Sequence, residues 1–154
     1  MKNHTIKNNM TVSQKMLALL GGAAVVALCA TARAEEHKPV NIDSSKLPPA
    51  ANKQGVTYVS DIKAIFEKSC VKCHSADKPK AKLNLTTLAD ALKGGADGKV
   101  IEPGSSTKSL LMGSVARIGE EDEWMPPKDN KAKIAPLTTE QIGLIRAWID
   151  QGAK

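Results

Sequence analysis

Two cysteines two residues apart, with a histidine directly behind the second, stand out as a set of side chains that could do chemistry together: Cys70-Val71-Lys72-Cys73-His74. Thiols at that spacing fall on one helical turn, where they can add across the two vinyl groups of a haem. The adjacent imidazole can then take the proximal position on iron, which makes C-x-x-C-H an attachment signature. Other chemistries use parts of the same pattern. A redox dithiol calls for a βαβ context, and no stretch of this chain alternates convincingly as a strand. Zinc needs a fourth donor, and outside the first 34 residues the further candidates reduce to His37, with no further cysteine. A structural disulfide within one helical turn would be strained. Haem attachment through Cys70 and Cys73, with His74 as the proximal iron ligand, is the reading that fits the residue types.

A haem protein that carries electrons commonly holds iron between His and Met. Beyond the first 34 residues the sequence contains two methionines. Met112 stands in Ser109-Leu110-Leu111-Met112, an apolar helical run where a thioether is most simply core filling. Met125 stands in Trp124-Met125-Pro126-Pro127, where prolines hold an extended loop that can present a weak ligand in a fixed position. Met125 is therefore the expected distal ligand, with Met112 as the alternative and His37 or an open sixth position as more remote ones.

The elements that must position these groups begin after an export-like start. Lys2, Lys7 and Lys15 precede an uncharged, mostly apolar run at residues 16–30, and Ala32-Arg33-Ala34 offers small residues where a signal peptidase reads them. That run is shorter than the roughly 20 residues of a membrane-spanning helix. Residues 1–34 are thus expected to be a signal peptide cleaved after Ala34, which places the protein in the periplasm or otherwise outside the cytoplasm. Retention of the segment as an anchor is the alternative. The segment holds three lysines, one arginine and no acid, so its removal takes the net charge from +6 to +2. An alkaline balance that sits mostly in an export signal gives no support to nucleic-acid binding.

Residues 35–56 read as a flexible lead-in, because Pro39, Pro48, Pro49 and Gly55 interrupt any helix. The folded domain is expected over residues 57–154, as an all-α fold of four helices. A Ser60 cap with Asp61 behind it opens the first, whose Ile62, Ile65 and Phe66 share a face and which runs into Cys70. The second spans residues 87–93 behind Thr86 and stops at Gly94-Gly95. The third spans residues 107–117 after Pro103-Gly104 and a Ser105 or Ser106 cap. The last opens on a Thr138/Gln141 capping box, buries Ile142, Ile145, Trp148 and Ile149, and ends at Gly152. Large rings are scarce, limited to Tyr58, Phe66, Trp124 and Trp148, and a bound porphyrin would supply the apolar bulk they do not.

With these parts in order, residues 57–154 resemble a monohaem cytochrome c domain of the class I fold, and look similar to the planctomycete-type cytochrome c family. The similarity rests on the C-x-x-C-H motif and on Asp61-Ile62-Lys63-Ala64-Ile65-Phe66, Leu83-Asn84-Leu85, Ile101-Glu102-Pro103-Gly104, Met125-Pro126-Pro127 and Ala147-Trp148-Ile149-Asp150-Gln151-Gly152. The resemblance implies a small cytochrome c fold around one covalently bound haem c. It also implies first and last helices that cross with Phe66 and Trp148 at or beside the contact, and a Pro79 carbonyl on the Nδ1 proton of His74. Ile62 departs from the glycine that many class I members carry four residues before the first-helix aromatic. The implied function is electron transfer between redox partner proteins rather than enzymatic turnover. A haem-based sensor or small catalytic site with a labile sixth ligand, or a carrier subunit of a larger dehydrogenase, are the alternatives. Lys68, Lys72, Lys78, Lys80 and Lys82 around the motif, and Lys128, Lys131 and Lys133 after the Met loop, could steer an acidic partner or serve as solubilising surface.

Overall fold

A computed structural model describes residues 40–154; the signal-peptide reading of residues 1–34 lies outside the described residues, as does the start of the lead-in. Four α-helices carry the described chain: α1 (Lys63–Ser69), α2 (Leu88–Lys93), α3 (Leu110–Ala116) and α4 (Thr139–Asp150). Isolated bridges at His74–Pro79 and Gly95–Gly98 are the β-type pairings among the described residues, so the all-α expectation is met.

The chain enters α1 through a wide π-helical turn, Tyr58–Ile62, that runs directly into Lys63. Its cap is Thr57 rather than Ser60: Thr57 Oγ1 accepts from Ser60 N–H at 3.2 Å, and Asp61 accepts from Thr57 N–H at 3.0 Å. The wide turn lets Tyr58 and Ile62 both reach the interior, where they are 3% and 0% exposed. Tyr58 then directs its hydroxyl to the Leu85 carbonyl at 2.8 Å, so its burial leaves no unpaired polar atom. Asp61 also pairs with Lys53, and these two contacts hold its carboxyl below the usual carboxylate range.

α2 begins one residue later than expected, because Thr86 bonds Asn84 Oδ1 through both N–H and hydroxyl while Thr87 caps the helix. The third helix is broken. Ser106–Lys108 forms a tight turn, and Ser109 is extended before α3 begins. The Ser109 hydroxyl, fully buried, accepts from Glu102 N–H at 2.9 Å and donates to the Ser105 carbonyl at 2.9 Å. A buried serine that satisfies two backbone groups of the preceding loop competes with the helix it would otherwise join. α4 carries the expected reciprocal cap, with Thr138 and Gln141 bonding each other's backbone N–H at 2.9 and 3.3 Å. It stops before Gly152, whose φ of +98° favours glycine.

The core centre is a triad of rings. Phe66 of α1 and Trp148 of α4 meet edge to face at 6.0 Å, and Tyr58 lies 6.0 Å from the first and 6.1 Å from the second. Both Phe66 and Trp148 are fully buried, with Ile62 beside them, so the expected helix pair forms and Ile62 is packed into it. Edge-to-face geometry adds about 0.5–1.5 kcal/mol per ring pair to the area buried.

The lead-in expectation needs correction over its described part. Residues 40–56 are packed on the domain: Ile42, Leu47 and Val56 are buried in the core. Ala51 N–H donates to the Gly143 carbonyl at 2.9 Å, Arg146 Nη1 donates to the Pro48 carbonyl at 2.8 Å, and Gln151 Nε2 donates to the Lys53 carbonyl at 2.7 Å. Prolines here prevent helix but leave an extended strap whose carbonyls reach α4. Gly143 makes the close approach possible, since a Cβ there would sit 2.6 Å from the Pro49 carbonyl oxygen. Gly143→Ala should therefore lift the strap and lower stability by about 1–3 kcal/mol. A denaturant melt reads the loss, and faster proteolysis within residues 40–56 locates it; an unchanged midpoint would refute the packing.

Candidate functional site

α1 ends at Ser69, and the C-x-x-C-H segment follows it as a hydrogen-bonded turn in which Val71 N–H reaches back to the Phe66 carbonyl at 2.9 Å. Cys70 N–H bonds the Phe66 carbonyl at 2.8 Å, and His74 N–H bonds the Cys70 carbonyl at 2.9 Å. This coil keeps Cys70, Cys73 and His74 on one wall of a cleft, which Leu83 and Leu85, the Gly95-Ala96-Asp97 loop, and Leu110, Leu111, Ser114 and Val115 of α3 extend. Met125, Pro126, Pro127, Asn130, Ile134 and Leu137 complete the lining. The cleft, open mouth included, spans about 960 Å³ of empty space. Its walls are overwhelmingly apolar, and the few donors that could meet a metal or a reactive edge are gathered at one end of the chain's motif and at the Met125 loop.

Both thiols are unbridged and half-buried. Burial, and then the neighbouring Cys73, pushes the Cys70 thiol up to about 12, so Cys70 is a neutral thiol and a poor thiolate redox centre. Burial also lowers the His74 pKa, against the opposing pull of the Lys80 and Leu83 carbonyls. A depressed imidazole is neutral near pH 7 and can offer a lone pair. Its Nδ1 lies 3.2 Å from the Lys80 carbonyl, which can only accept, so Nδ1 carries the proton and Nε2 the free lone pair.

Lys80 replaces Pro79 in that role. The Pro79 carbonyl is taken by Lys82 N–H at 2.7 Å, while Pro79 itself sits across the isolated bridge from His74. The reversed chain direction there presents the next carbonyl to the ring, aided by Ala81 and Lys82 at φ of 50° and 55°.

Met125 lines the cleft and Met112 does not: Met112 is wholly buried in the core on α3. The Met125 backbone is tied to α3 by its N–H on the Ser114 carbonyl at 3.0 Å. The loop after it is closed by Asn130, whose Nδ2 donates to the Pro127 and Ile134 carbonyls, both at 2.9 Å, and whose Oδ1 accepts from Ile134 N–H at 2.8 Å. Sequence reasoning missed Ser114 and Asn130, although an asparagine three residues beyond a Pro-Pro pair is a recognisable loop-closing signal.

This donor set fits a covalently held haem. Two thiols and one neutral imidazole line the cleft, a thioether stands in it with them, and its walls are apolar, as a porphyrin needs. Among the described residues no three His, Cys, Asp or Glu side chains converge to hold a metal ion by themselves; His37 lies outside the described residues. No described helix is long and apolar enough to cross a membrane.

Comparison with known proteins agrees over part of the chain. Residues 70–129, from the first cysteine through the methionine loop, match the family model described as Planctomycete cytochrome C. The resemblance drawn from the motifs thus holds over this segment, and a family of that kind implies covalently bound haem c. No curated protein matches the chain significantly. Among solved structures, the chain is similar to Kuenenia stuttgartiensis hydrazine synthase, at 21% identity and a TM-score of 0.40. That match covers 64% of this chain and 16% of the other, so the chain spans a small part of that protein's length.

Proposed function

We propose that the chain is a monohaem c-type cytochrome that carries single electrons between protein partners, with the iron held by His74 and Met125. One observation carries the reading: Cys70, Cys73, His74 and Met125 line one apolar cleft. The bound haem would supply the one-electron couple. The protein's own residues do the rest. Cys70 and Cys73 would tether the ring as thioethers, and the Lys80 carbonyl would keep the His74 ring oriented with Nε2 toward the metal. Leu83, Leu85, Leu111, Val115, Ile134 and Leu137 would exclude water from the ring faces, which favours the less charged reduced state.

Export with cleavage after Ala34 belongs to the same reading, since haem is attached to such motifs after translocation, and it places the carrier in the periplasm. Lys68, Lys72 and Lys133 border a shallow groove that shares Ser69 and Ile134 with the cleft, which supports an acidic redox partner approaching there. Two filled axial positions distinguish a carrier from a gas sensor or a small catalytic haem site. The purified protein should show a reversible one-electron couple, a low-spin spectrum in both states, and no carbon monoxide binding without prior ligand displacement. A high-spin spectrum with ready carbon monoxide binding would replace the carrier by the sensor or catalytic alternative.

A further inference from the structure

Arg117 brackets the methionine loop from behind, and its placement is unusual in three respects. It closes α3 in the left-handed conformation, φ 57° and ψ 44°, which strains a residue with a side chain and which glycine would adopt freely. Its Nε is wholly buried and lacks a hydrogen-bond partner. Its guanidinium carbon stands 5.3 Å from the centre of the Trp124 ring, while Nη2 donates to the Pro126 carbonyl at 3.4 Å. Trp124 and Pro126 are the two neighbours of Met125.

A helix stop alone does not account for these contacts. Glycine at this position would keep the backbone turn, including the Arg117 N–H bonds to the Gly113 and Ser114 carbonyls. It would lose the ring contact and the carbonyl contact that flank the methionine. A half-buried arginine whose Nε is buried without a partner carries a cost and persists where its position performs a task. Here the Ser114 carbonyl holds Met125 N–H, and the side chain three residues on holds the peptide on either side of it, so α3 and the loop form one fixed unit.

We propose that Arg117 is the positioning residue for the distal ligand: by clamping Trp124 and Pro126 it holds the Met125 thioether on the iron, and its fixed positive charge favours the reduced state. This inference rests on the His74/Met125 reading above. Removal of the guanidinium should loosen the thioether and lower the reduction potential, both in the same direction, because a thioether ligand and a nearby cation each raise it.

The test uses the full holoprotein and its Arg117→Gln and Arg117→Lys variants, with imidazole as a competing ligand. In Arg117→Gln, imidazole should displace the thioether about tenfold faster than in the parent protein, the rate equivalent of about 1.4 kcal/mol. The methionine–iron charge-transfer band should weaken and the potential should fall. Arg117→Lys keeps the charge and the ring contact but loses the fork, so it should recover the potential in part. If Arg117→Gln does not fold, Trp124→Phe, which keeps a weaker ring contact, should give the same effects to a lesser degree. A purely structural role would lower the melting temperature and leave band, potential and imidazole rate unchanged, which overturns the inference. A parent protein without the band, or with a band that survives Met125→Ala, removes the ligand reading and this inference together. A band that is lost in Met125→Ala yet unaltered in the Arg117 variants removes the inference alone.

Discussion

Replacement of Trp148 by alanine should cost about 3–5 kcal/mol of folding stability, a large share of the roughly 5–15 kcal/mol that a domain of this size possesses. Trp148 has no exposure and touches both other rings of the triad, so its loss opens a cavity between α1, α4 and the π-helical turn. Its indole N–H also donates to the Lys154 carbonyl at 3.0 Å, the same oxygen that accepts Tyr58 N–H at 2.7 Å. One bond to that carbonyl would survive, so the damage is chiefly the cavity rather than an orphaned acceptor. Trp148→Phe keeps a ring against Phe66 and should cost less than half as much. Denaturant midpoints of the three proteins check the order. A loss below about 1 kcal/mol in Trp148→Ala would show that the triad does not carry the core.

Met125→Ala should abolish the methionine–iron charge-transfer band and lower the reduction potential by some tenths of a volt, within the roughly 0.8 V that axial ligation commands. Stability of the protein part should change little, because Met125 is only half-buried and the loop keeps its bonds to Ser114 and Asn130. Met112→Ala should behave in the opposite manner. Met112 is wholly buried on α3, and truncation there should cost about 2–5 kcal/mol with the band and potential retained. The pair of variants separates ligand from core by two independent readouts. A band that survives in Met125→Ala and vanishes in Met112→Ala would reverse the ligand choice.

What could be read from the sequence divides by the range of the interactions. The C-x-x-C-H motif and the Thr138/Gln141 capping box are local devices, complete within five residues; the cap has its expected backbone geometry, while the motif forms a hydrogen-bonded turn rather than a turn of helix. Helix starts set by competition were less legible. Thr57 displaced Ser60 because burying Tyr58 together with Ile62 favours a wide turn, and Ser109 broke a predicted helix to satisfy Glu102 and Ser105. Such outcomes depend on residues far along the chain, as with the Tyr58 hydroxyl on Leu85.

The strap at residues 40–56 shows the same limit from the other side. Its prolines signal only the absence of helix, while its partners, Gly143 and Arg146 on α4 and Gln151 just past its end, lie about ninety or more positions away. The resemblance to the family implied Pro79 as the His74 acceptor, and the local chain reversal moves that role one residue on, to Lys80. Arg117 gave no signal at all as a loop clamp, since nothing in its neighbourhood marks a left-handed arginine.

In the proposed carrier, one haem would be held through two thioethers. Intact mass of the protein purified from a host able to mature c-type cytochromes tests it most directly, beside Cys70→Ser and Cys73→Ser. The parent should carry the added mass of one haem that acidified acetone does not extract. Each single variant should lose most of the attached haem or hold it by one bond, and the double variant should carry none. A parent mass equal to the bare polypeptide, or a haem that extracts freely, would contradict the account at its foundation.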